Sequence, residues 1–358
     1  MKLGIRHGCR IIAIAALGLV AAQAHAAVTL GGDFSADYVV TDLGSIAQLP
    51  PLYGGVTFLS ANAILIGGTA NVAEGRIYEA AVLRDVATQR ITGFGPATLF
   101  RGGSIGTFND GGVVFGPNGV LFTSQWPENK LGQTKPGSLV EDKVIDLAPL
   151  GVAQSHAALN FVPGGFGGAG QVKLVSWGGG QWYSASLAPD GAGTFNLTGI
   201  TQIDVDSGTP AMDVLPGGPE GFVYIDGANP GFGSNSLLLS EFSAGTVGVF
   251  ALDANGDPIL TSRRDFLSGL EGAEGAALDP LTGDFLFSTY GGGDRVVLVS
   301  GFTEPPPPPP PPPIPEPEIY ALMLAGLSAL GFAARRRRRG ASSSEFAMGE
   351  VGLPRVDA

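Results

Sequence analysis

"AEGAALDPLTGDFLFSTYGGGDRVVLVSG", residues 273–301, is the stretch on which the fold turns. A short apolar run ends in the turn Asp279-Pro280-Leu281-Thr282-Gly283-Asp284. A second run, Phe285-Leu286-Phe287-Ser288, leads through three glycines into a third, Val296-Val297-Leu298-Val299. Apolar runs this short, closed by Gly, Pro and Asp turns, read as strands; a helix needs ten residues or more. The same strand–turn–strand unit returns in "YGGVTFLSANAILIGG" from Tyr53 and "DGGVVFGPNGVLFTS" from Asp110. It returns again in "HAALNFVPGGFGGAGQVKLVSW" from His156 and "PAMDVLPGGPEGFVYID" from Pro210. Unit starts lie roughly 45 to 65 residues apart, the size of a four-stranded propeller blade with its loops.

The expectation is therefore an all-β domain over residues 27–303, a five- or six-bladed β-propeller, with a pair of β-sandwiches as the alternative. Five units are visible, and a strand near residues 33–41 would close the ring. Residues 71–89 pull towards helix, but "RIYEAAVLRD" also alternates as a strand, and its place in the repeat favours the strand.

Composition agrees. Glycine contributes 57 of 358 residues without a G-X-Y period, which excludes collagen, and 44% apolar residues argue against disorder. The net charge of −12 is unevenly spread: residues 27–304 hold 11 basic and 27 acidic side chains. A body that acidic disfavours nucleic acid and anionic membranes as partners. The one cysteine is Cys9, and of three histidines only His156 lies beyond residue 25. Disulfides, Cys/His zinc sites and thiol nucleophiles are excluded once the leader is removed.

Both ends read as addresses. Lys2, Arg6 and Arg10, an apolar run over residues 11–22, and Ala24-His25-Ala26 form a secretory signal peptide over residues 1–26. Ala24 and Ala26 set the cleavage site, with cut before Ala27 by signal peptidase after passage through the Sec translocon. Near the other end, 305–313 is all proline, within a linker spanning 304–314 that should form a stiff polyproline II spacer. Residues 319–334 carry no charge and, as a helix, would span about 24 Å, with flanking groups making up the bilayer's thickness. Arg335, Arg336, Arg337, Arg338 and Arg339 would hold that side in the cytoplasm, leaving the body outside. Residues 340–358 show no helical or strand period and are predicted to be disordered.

Pro315-Glu316-Pro317, an apolar span and an arginine cluster, in that order over residues 315–339, resemble the PEP-CTERM sorting signal of Gram-negative bacteria. That resemblance implies processing near Pro-Glu-Pro by an exosortase and a transient inner-membrane tether. The implied destination is the cell surface or the exopolysaccharide matrix, with exopolysaccharide or surface proteins as partners. The repeats loosely resemble propellers of the NHL and SMP-30-like lactonase type.

Catalytic motifs fare poorly, so the protein does not read as an enzyme. Gly102-Gly103-Ser104-Ile105-Gly106 matches G-x-S-x-G, but a turn into another strand follows where a nucleophile elbow needs a helix. Gly165, Gly167 and Gly170 have dinucleotide-loop spacing, yet the strand "QVKLVSW" follows. Carboxylates are the chemical lead. Glu220, Glu271, Glu274 and Asp294 are candidates for a calcium site at the pore, since calcium takes six to eight oxygen ligands. Resemblance to lactonase propellers would make such a metal polarise a substrate, the alternative being a calcium-dependent hydrolase. Asp279 and Asp284 read more simply as turn caps, and Asp253 to Asp257 as a hairpin turn. Trp126, Trp177, Trp182 and Tyr183 could stack on sugars, although aromatics in blades are more often core. The favoured expectation is a non-enzymatic binding or structural propeller with no required cofactor.

Overall fold

The computed structural model describes residues 27–205 and 208–302. The expected signal peptide over 1–26, the expected linker 304–314, Pro315-Glu316-Pro317, the expected span 319–334, the arginines and the stretch 340–358 lie outside the described residues. No helix among the described residues is long and apolar enough to cross a membrane.

The described residues form five antiparallel sheets, each made mainly from consecutive strands. Their inner strands are Val56–Ser60, Asn109–Phe115, His156–Phe161, Pro219–Ile225 and Ala273–Leu278. The chain is thus a five-bladed β-propeller; the sixth blade and the sandwich pair are not what it forms. The ambiguous segment is the strand Arg76–Arg84 of the first blade, paired on one side with Ala63–Gly68. Each inner strand turns back into a second strand. In the second blade that turn holds Asn118 and Gly119 at φ 58 and 69°, left-handed values that Asn and Gly tolerate best.

Alternation within the second strands explains the stacking. In Phe285–Thr289, Phe285 and Phe287 pack towards the fourth blade, whereas Leu286 packs towards the first. In Ser236–Glu241, Leu237 and Leu239 face the third blade and Leu238 the fifth. A strand with apolar residues on both faces has to be covered on both, and stacked blades do that. Among the described residues the apolar side chains fall into five clusters, one between each neighbouring pair of blades.

The N-terminal segment closes the ring. Val39–Asp42 adds to Val296–Ser300 as the outer strand of the fifth blade, and Thr29–Leu30 adds to Arg264–Ser268 in the fourth. Between these two strands, Phe34 and Tyr38 sit in an aromatic knot with Phe232, Phe266 and Phe302. Ring centroids there are 5.1 Å apart for Phe34 and Phe266 and 4.5 Å for Tyr38 and Phe302. Arg84 of the first blade grips Asp279 of the fifth through two bonds of 2.6 and 2.8 Å, locking the remaining seam. Asp279 also accepts from the Leu281 amide and the Thr282 hydroxyl, so it caps its turn.

Around the axis the inner strands meet backbone to backbone. A Cβ on Gly275 would lie 2.6 Å from the Val56 amide nitrogen, so only glycine fits there. At one end the axis opens into a cavity of about 500 Å³, lined by apolar side chains such as Phe58, Phe115, Phe161 and Tyr224 and by no charged group.

Candidate functional site: an acidic axis beneath an aromatic collar

The chemistry gathers at the opposite end, where the inner strands begin. In blades two to five the ladder slips there, between Asn109 and Val113, His156 and Ala158, Pro219 and Phe222, and Ala273 and Ala276. Such bulges bend a strand and re-aim its side chains. Asp110, Glu220 and Glu274 sit on three of them. The equivalent place in the third blade holds Ala157, and the first blade offers Gly54, so three carboxylates converge without a fourth. Each offers an oxygen, and these three atoms lie within 4.8 Å of one another. The residues are at most 3% exposed.

The axis is narrow enough that Gly111 of the second blade touches Glu220 of the fourth across it. A Cβ on Gly111 would stand 2.6 Å from Glu220 Oε2. Asn71, with its amide oriented to satisfy both neighbours, donates to Asp110 Oδ1 at 2.9 Å and to the Asn109 carbonyl at 3.0 Å. Asp110 Oδ2, Glu220 Oε2 and Glu274 Oε1 are buried with no hydrogen-bond donor.

Electrostatics follow from that burial. Desolvation pushes Asp110 up to about 7, against weaker pulls from Glu274, Asn71 and the Gly111 amide. Glu220 is driven well above the usual carboxylate range by burial and then by the charge of Asp110. Burial, then Glu220, then Asp110 do the same to Glu274. Three desolvated carboxylates this close cannot all be ionised unless a positive charge compensates them.

Above the acids runs a collar of aromatic rings. The residue after each second strand donates its backbone N–H to the carbonyl just ahead of the inner strand. The pairs are Trp126 to Phe108, Trp177 to Ser155, Phe242 to Gly218, and Tyr290 to Gly272, at 2.8 to 3.0 Å. One ladder position therefore carries an aromatic in four successive blades. The rings touch in sequence: Trp126 to Trp177 at 6.2 Å, Trp177 to Phe242 at 6.3 Å and Phe242 to Tyr290 at 6.0 Å. All four are half-buried. Burial raises the Tyr290 pKa first, and the charges of Glu274, Asp110 and Asp294 raise it further, which ties the collar to the acidic axis.

The candidate residues from the sequence separate cleanly here. Glu220 and Glu274 come together at the axis. Glu271 is exposed, and Asp294 reaches the loop ahead of the first blade, accepting from the Leu52 amide at 2.7 Å; neither joins the cluster. Asp110 takes the place they were expected to fill. Trp126 and Trp177 are on the collar, whereas Trp182 and Tyr183 are core, with Trp182 Nε1 bonded to Asp257 at 2.8 Å. Asp253 caps a turn through the Asn255 and Asp257 amides. Ser104 lies just past a single 3₁₀ turn at Phe100–Gly102, and Gly165 to Gly170 form the loop ahead of the strand Val172–Ser176. A signal for Asp110 was present: Asp110-Gly111, Glu220-Gly221 and Glu274-Gly275 repeat an acid–glycine pair at the head of three inner strands.

The described residues are thus a closed five-bladed β-propeller with an acidic axis under an aromatic collar. Residues 313–338 match the PEP-CTERM protein-sorting motif. The chain carries that signal, which implies export, a membrane-anchored sorting intermediate and exosortase processing. Comparison with curated proteins gives no significant match. Among solved structures, the chain is similar to a glutaminyl cyclase from Myxococcus xanthus, with 12% identity, 74% of this chain and 95% of that one covered, and a TM-score of 0.43. It is also similar to an auxiliary nutrient binding protein from Bacteroides ovatus, with 11% identity, coverage of 74% and 76%, and a TM-score of 0.39. A third is the Cps50 (Swd1) β-propeller domain from Myceliophthora thermophila, with 8% identity, coverage of 69% and 82%, and a TM-score of 0.33.

Proposed function

We propose that the protein is a non-enzymatic, glycan-binding propeller that exosortase sorting delivers to the cell surface or the exopolysaccharide matrix. The aromatic collar carries this reading. Four half-buried rings from successive blades make one contiguous surface around the axis, where a core role would have buried them as it buried Trp182 and Tyr183. Indole and phenol rings offer an apolar face to the C–H face of a sugar and a polar edge to its hydroxyls. Sorting to a polysaccharide-rich location supplies the ligand class. The calcium-dependent hydrolase is less favoured, because a substrate would have to reach carboxylates that are at most 3% exposed.

A glycan array probed with the full-length protein in detergent tests it. Binding to at least one bacterial polysaccharide is expected, with roughly tenfold or greater loss in Trp126→Ala and Trp177→Ala at unchanged far-UV circular dichroism. Absence of binding to any glycan, or binding indifferent to both substitutions, would refute the proposal.

A further inference from the structure

We infer that Asp110, Glu220 and Glu274 form a buried site for a divalent cation of the calcium class, one that clasps the second, fourth and fifth blades at the axis. The inference goes beyond the glycan reading and stands without it.

Geometry comes first. Oxygens bound to one calcium ion at 2.3–2.6 Å lie no more than about 4.6 to 5.2 Å from one another, on opposite sides of the ion. The three carboxylate oxygens meet that limit, all lying within 4.8 Å. The donor set is oxygen alone, which suits a hard cation; zinc and copper favour imidazole and thiolate. Three carboxylates that bind through both oxygens would supply six ligands, which the flexible coordination of calcium accepts.

A second observation points the same way. Each acid keeps one oxygen with no donor, although its surroundings are closed to solvent. Buried polar atoms in native proteins are almost always satisfied, and a cation held between the three acids would supply the partner that these oxygens lack. Elsewhere Glu241 takes two bonds from Arg263 and Asp279 two from Arg84, and Asp284 Oδ2, which has no donor, has the Arg90 guanidinium 3.9 Å away. No lysine or arginine reaches the axial triad among the described ion pairs.

The location also explains a structural need. Gly111 and Glu220 belong to blades that are not neighbours in the ring, yet they touch across the axis. A cation bound there ties three inner strands at the one place where all blades converge. It also lies beneath Tyr290 and Asn71, so it would steady the collar from below.

The test is calcium titration of the full-length protein in detergent after chelation, read by calorimetry and by terbium luminescence. One equivalent of calcium is expected, with an increase in Tm on addition. Glu220→Gln and Glu274→Gln should each weaken binding by roughly tenfold or more, given that even outer-shell substitutions cost that much. Glu271→Gln and Asp294→Asn, acids near Glu274 in sequence but outside the triad, should leave affinity unchanged. Both isosteric triad variants should remain folded in chelator, because glutamine supplies the neutral form the cation-free site requires. The inference is overturned if wild-type protein shows neither stoichiometric binding nor a calcium-dependent Tm. It is overturned equally if the Glu271 and Asp294 variants lose as much affinity as the triad variants.

Discussion

His156 heads the inner strand of the third blade as the axial acids head theirs, and it responds to pH in the opposite sense. His156 is fully buried, its ring nitrogens find no partner of good geometry, and desolvation drives its pKa down to about 3, against a weaker opposing contact with the Val175 backbone. The unfolded chain takes that proton first, at its ordinary 6.5, so stability is lost as pH falls from there towards 3. Asp110 runs the other way. Its folded pKa is raised from 3.8 to about 7, so the cation-free protein is most stable in acid and loses stability as pH rises through that window. Between about pH 4 and 6.5 the two effects oppose each other in one window, so substitution has to separate them. His156→Gln should make thermal stability fall more steeply with rising pH there, and saturating calcium should flatten or reverse that fall; melts altered by neither would contradict both assignments. Sequence alone could nominate Glu271 and Glu274, because neither was needed for a turn, with Glu220 and Asp294 as further acids of the last two blades. Asp110 escaped because the bulge of the second blade holds one residue more than the others, so aligning the repeats places Gly111, not Asp110, opposite Glu220 and Glu274. Glu271 and Asp294 misled for the converse reason: nearness in sequence does not survive the passage from a strand into its flanking turns.

At the scale of elements, the closing strand is the feature on which the ring depends. Val39–Asp42 pairs with Val296–Ser300 over four residues, and Arg295 bonds Asp42 at 2.7 Å. So short a ladder cannot hold a ring shut alone, and the aromatic knot supplies the rest. Tyr38 is 3% exposed, packs on Phe232, Phe266 and Phe302, and donates its hydroxyl to the Pro230 carbonyl at 2.8 Å. Tyr38→Ala should destabilise the protein by about 3–5 kcal/mol in urea titrations, the usual range for emptying a buried aromatic site; a change below about 1 kcal/mol would mean that closure does not depend on the knot. The existence of this strand was legible from an apolar stretch left over after five units had been counted. Its extent was not, because residues 33–38 resemble strand in composition but turn instead to carry Phe34 and Tyr38 inward. The strand Arg76–Arg84 was ambiguous for a related reason: its alanines and leucine suit a helix as well, and only the neighbouring strand decides.

For the whole molecule, glycine spacing and turn residues made the propeller readable, since blade length follows from local pattern. Blade number was harder to read, because it depends on how five faces of apolar side chains interlock. The sorting signal was legible from the order of its three parts. The collar was only half legible: a tryptophan on a strand gives no sign of whether its ring faces a neighbouring blade or the axis. Together these features describe an exported propeller whose axis is chemically asymmetric, apolar at one end and acidic beneath aromatic rings at the other. The most direct test of that arrangement is anomalous diffraction from crystals of the protein soaked in terbium at low concentration. The account predicts one dominant peak on the propeller axis, within coordination distance of Asp110, Glu220 and Glu274, below a collar formed by Trp126, Trp177, Phe242 and Tyr290. Density showing the three carboxylates turned away from one another, or no peak between them, would contradict it.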